Sequence, residues 1–145
     1  MRSNSLLIYV ALYTTLIMQL GCSGGDPTAT DPELIFKDGF ENAIDEIELL
    51  ADGGTMVRGF SAWLKILPKQ ADIRLRKEAD YDYVNCQTPA VWFMEAIGDK
   101  ALSKKQSHLS CREYSDNRFD FDNGRWVMTD SSSGIVYYRV WKLNR

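Results

Sequence analysis

Few side chains in this 145-residue sequence have the type and spacing of reactive chemistry. His108 is the only histidine, so any Ser-His-Asp or Cys-His device must use it. No serine sits in a GxSxG elbow, and no cysteine pair has CxxC spacing beside histidines. Zinc would need at least two more good ligands than the chain offers. Asp120, Asp122 and Gly124 echo the opening of a calcium loop. The acidic residue due two places after Asp122 is missing, however, and position 12 counted from Asp120 is Ser131 rather than Glu. No metal and no cofactor is expected. Acidic residues are plentiful, which leaves a carboxylate-based hydrolase as a residual reading, but the sequence singles out no pair.

Aromatic side chains are the one feature above background: Trp63, Trp92, Trp126 and Trp141, with 7 tyrosines and 6 phenylalanines in the whole chain. Tyr137 and Trp141, four apart on an expected strand, share a face and form a candidate binding surface for a sugar or a protein partner. Either Tyr138 is buried while Tyr137 and Trp141 line the other face, or the reverse. A single domain of this size also needs large side chains for its core.

The amino terminus places the chain in a compartment. Arg2 precedes an apolar run from Leu6 to Met18, and small residues follow, the tripartite form of a secretory signal. The stretch Leu6 to Leu20 reaches roughly 22 Å as a helix, short of the bilayer core of about 30 Å. Leu20-Gly21-Cys22 resembles the end of a bacterial lipobox, with Gln19 where that family usually has leucine. The resemblance covers the first 22 residues. It implies cleavage after Gly21, a fatty acid such as palmitate on Cys22, and a membrane anchored through that lipid. With Ser23 rather than Asp after the cysteine, it implies the outer membrane of a Gram-negative envelope, facing the periplasm. The tract from Ile35 to Glu41 is similar to a short stretch in secreted proteins of some proteobacteria and implies no activity.

If Cys22 carries lipid, Cys86 and Cys111 remain as an even pair in an oxidising compartment and are expected to form a disulfide. Residues 22–35 are rich in small, turn-forming types and read as a flexible tether. Residues 36–145 read as one globular domain. The chain has 17 basic and 20 acidic side chains. This mild, mixed acidity lacks the concentrated basic face of a nucleic-acid binder.

The elements that must position these residues read as α+β: an N-terminal amphipathic helix packed on an antiparallel sheet that ends in a three-strand meander. Phe40, Ile44, Ile47 and Ala51 share a helical face, Asp38 stands three before Glu41 as in a capping arrangement, and Gly53-Gly54 stops the run. Residues 55–67 tilt toward a strand ended by Pro68. Ile73 and Leu75 alternate with arginines, and Tyr81 and Tyr83 with aspartates, as strands do. Residues 90–97 fit a buried strand or a short helix with an early proline. Asn123-Gly124 and Ser131 to Gly134 are expected hairpin turns. The leading expectation is an envelope lipoprotein with a non-catalytic, protein-binding accessory domain; a glycan or peptidoglycan binder is the alternative.

Overall fold

The computed structural model describes residues 31–56, 59–70, 72–114 and 123–143. Cys22 and the signal-like segment lie outside the described residues, as do Asp120 and Asp122. A six-stranded, wholly antiparallel sheet dominates the molecule. Its strands are β1 (Ile47–Thr55), β2 (Gly59–Pro68), β3 (Asp82–Val84), β4 (Leu109–Tyr114), β5 (Asn123–Asp130) and β6 (Ile135–Leu143), in the spatial order β1-β2-β6-β5-β4-β3. The helices described are two short ones, α1 (Pro32–Gly39) and α2 (Gln87–Ile97), with four 3₁₀ turns.

This overturns the α+β expectation, and above all its amphipathic helix over residues 40–51. Phe40 bridges Leu75, and Ile47 onward pairs with β2. The helical spacing of Phe40, Ile44 and Ile47 coexists with a period of two in Ile47, Leu49 and Ala51, and pairing with β2 turns that alternation toward the first layer of the core, where Ile47 is buried. The helix forms one element earlier. The Asp31 carboxylate accepts from Glu33 N–H at 2.9 Å, and Pro32 opens the first turn with its φ already set. Four residues read as tether, 32–35, therefore belong to α1, and Ile35 is buried.

Two local readings also change. Asn123 and Gly124 are not a turn but the start of β5, paired with Lys142 and Trp141. Residues 73–76 form no strand; Leu75 contributes one isolated bridge. Residues 90–97 resolve as helix. Pro89 lies in the first turn of α2, and Gly98, at φ 76°, ends it with its N–H on the Met94 carbonyl. The Ser131–Gly134 turn joins β5 to β6.

Strand alternation divides the core into two layers, one on each face of the sheet. On the first, Ala62, Leu64, Ile66, Val127, Val136 and Tyr138 meet Ile35, Phe36 and Phe40. Phe36 stacks on Phe40 with ring centres 4.9 Å apart, and Phe40 meets the edge of Tyr138 at the same distance. On the second, Met128, Tyr137 and Cys111 lie beneath Ala90 and Phe93 of α2 and beside Leu102. The Cys86–Cys111 disulfide ties the start of α2 to β4, with Cα atoms 5.3 Å apart. At the end of β5, the fully buried Asp130 carboxylate receives Lys105 Nζ at 2.9 Å, both Ser132 groups and the Ser133 hydroxyl. Burial pulls its pKa up. The hydrogen bonds outweigh that and hold the group well below the usual carboxylate range.

Candidate functional site

The second face of the sheet has a covered half and a partly open half. Register builds the open half. Trp63 on β2 pairs with Arg139 on β6, and Arg139 pairs in turn with Trp126 on β5, so these three side chains project from the same face. The adjacent row on that face is Ser61, Trp141 and Gly124. From above, α2 brings down Trp92, whose ring meets Trp126 edge-on at 6.4 Å. Trp126 and Trp141 meet edge to face at 5.0 Å. Trp92, Trp126 and Trp141 thus gather around one arginine, with Trp63 beside it in the sheet and its ring turned toward Gly53 on β1.

The Arg139 guanidinium carbon lies 3.9 Å from the Trp92 ring centre, 4.6 Å from Trp141 and 4.9 Å from Trp126. Three π-faces or edges this close supply the cation–π attraction that a partly desolvated guanidinium lacks elsewhere. Its Nε donates to Ser61 Oγ at 3.4 Å. The two terminal nitrogens meet no acceptor among the described residues, and both reach the molecular surface. No carboxylate among the described residues forms an ion pair with Arg139. Burial accordingly lowers its pKa to about 10, which leaves it cationic at neutral pH. Trp126 Nε1 is a second donor without an acceptor in this cluster, and it is buried. Such an orphan costs roughly 1–3 kcal/mol.

Two glycines make room for the rings. A Cβ on Gly53, the cross-strand partner of Trp63, would fall 2.7 Å from the Trp63 ring. One on Gly124, the partner of Trp141, would fall 2.4 Å from that ring. Each indole therefore leans across a neighbouring strand at the one position with no side chain to obstruct it. At Gly124 a larger residue would push Trp141 off the sheet.

Of the residues singled out in the sequence, Tyr137 and Trp141 do share a face, with Tyr138 buried on the other. Only Trp141 belongs to the cluster. Tyr137 is 1% exposed beneath Phe93, at a ring distance of 5.6 Å, so it cannot touch a ligand. Burial pushes its pKa up to about 12. His108 is exposed, and its carbonyl rather than its ring is engaged, by Ser131. Cys86 and Cys111 are bonded to each other. No group of three metal-ligating side chains occurs among the described residues. A cleft of about 410 Å³ beside the disulfide has no carboxylate in its lining, and one of about 550 Å³ at the end of β2 has Asp72 alone. Neither offers the facing acids that a carboxylate-based hydrolase needs.

Sequence reasoning missed Trp63, Trp92, Trp126 and Arg139 as a unit. One signal was present: Arg139 is a charge within the apolar run of β6, two residues from both Tyr137 and Trp141 and so on their face. Comparison with family models, with curated proteins and with solved structures finds no match for this chain.

Proposed function

We propose that this protein is an envelope lipoprotein, anchored through Cys22, whose domain is a non-catalytic binding module for an envelope glycan. The observation that carries the binding role is the gathering of Trp92, Trp126 and Trp141 around Arg139, which forms no ion pair among the described residues, on a partly open sheet face. Indole rings offer broad apolar contact at little entropic cost, which suits the C–H faces of sugar rings. The polar groups in the cluster are mostly donors, and sugars carry many acceptors. This balance favours a glycan over the protein partner that the sequence alone put first. The lipid anchor rests on the lipobox-like Leu20-Gly21-Cys22 and the apolar run before it. Among the described residues no helix is long and apolar enough to cross a membrane.

Sedimentation with purified cell wall tests the binding role. The native domain is expected in the pellet, and Trp92→Ala with Trp126→Ala in the supernatant with its fold retained by circular dichroism. A native domain that stays soluble, while crosslinking in envelopes captures one protein in a Trp92-dependent way, overturns the glycan reading. For the anchor, labelled palmitate is expected to enter the native protein and not Cys22→Ala; label retained in the variant, or absent from both, overturns it.

A further inference from the structure

The tryptophan cluster contains a cation that nothing in the described structure neutralises, and this distinguishes it from the other arginines beside it in the sheet. Arg125 reaches Asp38 at 2.9 Å, and Arg112 reaches Glu78 at 2.6 Å. Both place a guanidinium near an aromatic ring as well: Arg125 lies 5.0 Å from the Tyr114 ring centre and Arg112 5.9 Å from Tyr83. Arg139 makes closer ring contacts than either, yet pairs with no acid among the described residues. Desolvated charges are ordinarily paired. Three rings crowd the guanidinium carbon, so further bonding falls to its in-plane N–H groups. Of these, Nε is on Ser61, and the terminal nitrogens remain open.

We infer that Arg139 is the subsite for a carboxylate carried on a sugar, so that the bound glycan is acidic. The inference rests on the glycan-binding reading above. Edge-on recognition selects a planar, two-oxygen acceptor, because a carboxylate accepts a pair of parallel N–H bonds in the plane of the guanidinium. The surrounding tryptophans supply the contact for the ring that bears it. An acidic peptide would satisfy the same nitrogens and leave the indole faces without a matched surface. Gly124 fits the same scheme: by letting Trp141 lean across β5, it keeps the aromatic layer low beside Arg139.

The test is calorimetric titration of the native protein with tetragalacturonate, its fully methyl-esterified counterpart, and tetraglutamate. Tetragalacturonate is expected to bind, with affinity falling by about tenfold or more when the carboxylates are esterified or when Arg139→Gln removes the cation, as loss of a charged hydrogen bond implies. Increasing salt should weaken it further. Thermal melts of Arg139→Gln check that the fold survives. Equal affinity for acid and ester overturns the carboxylate subsite and leaves the aromatic face standing. Tetraglutamate binding as tightly as the sugar overturns the sugar as carrier. If neither sugar binds while the native domain still sediments with cell wall, the acidic-sugar inference fails and the binding module survives. If sedimentation fails as well, both fall.

Discussion

The two faces of the sheet each place an arginine against aromatic rings, and they treat it in opposite ways. On the first face, Arg125 projects from β5 toward α1, where Asp38 accepts from it at 2.9 Å. Burial pulls the Arg125 pKa down, but nearby Tyr138 and the Asp38 carboxylate more than reverse this and hold it above the ordinary arginine value. On the second, Arg139 projects from β6 into the tryptophans with no ion-paired acid among the described residues, and burial prevails. The first face is closed by its own residues: Phe36, Phe40 and Tyr138 are all at or below 1% exposure. Among the described residues, the second is closed where α2 and the turn around Leu102 lie over Tyr137 and Met128. A closed layer completes its own charges. An open one leaves a charge to be completed from outside, and that contrast points to the proposed binding face more directly than aromatic content does.

The helices that cover the two faces are held differently, and removing the disulfide should expose this. The double variant Cys86→Ser, Cys111→Ser frees a 25-residue separation and is expected to lose about 3 kcal/mol on chain entropy. Hydrogen exchange should quicken through α2 while α1 amides keep their protection; equal loss of protection in both would break the contrast. Next in size is the Asp130 anchor beneath the covered half of the second face. Asp130→Asn leaves Lys105 without its anion and is expected to cost about 1–3 kcal/mol in chemical denaturation at pH 7. Because the folded carboxyl is held low, its stabilisation is complete above the unfolded value of about 4 and is lost as pH falls below it. The variant should therefore flatten the acid limb of the stability curve; an unchanged limb would place the acid sensitivity elsewhere. Smallest is the arginine itself. Arg139→Met is expected to stay within about 1 kcal/mol of the native protein, since an apolar side chain replaces a partly desolvated, unpaired charge. Arg125→Met should lose more, because it breaks a formed ion pair. The reverse order would make Arg139 a structural tie rather than a free subsite.

The sequence reading was strongest where alternation and covalent chemistry were local. β2 with its end at Pro68, the strand around Tyr83, the Ser131–Gly134 turn and the Cys86–Cys111 bond all correspond to patterns within a few residues or to cysteine number. It was weakest where a short stretch satisfied two periods. Phe40 to Ala51 carries both a helical stripe and a strand alternation, and the choice was made by pairing with β2, which no local window contains. Asn123-Gly124 has the composition of a tight turn, but Gly124 is there to receive the Trp141 ring from the neighbouring strand. The tryptophan–arginine cluster was illegible for the same reason. Trp63, Trp92, Trp126 and Arg139 are scattered over 77 positions, from 63 to 139, and the register of β2, β6 and β5 together with the packing of α2 makes them neighbours.

The place of β6 has a kinetic consequence. It follows the other five strands in the chain yet lies between β2 and β5, with Leu143 paired to Gly59. Until residues 135–143 are available, the sheet is two separate pieces, a β1–β2 hairpin and the β3-β4-β5 group. The hairpin alone is marginal in water, and each piece presents an unpaired edge. Closing the gap demands contacts across more than half the sequence, the topology that folds in milliseconds to seconds rather than microseconds. Assembly is thus gated by one late strand. Any substitution that weakens β6 should slow folding out of proportion to its effect on the finished sheet, and should lengthen the time for which those edges can pair with another chain.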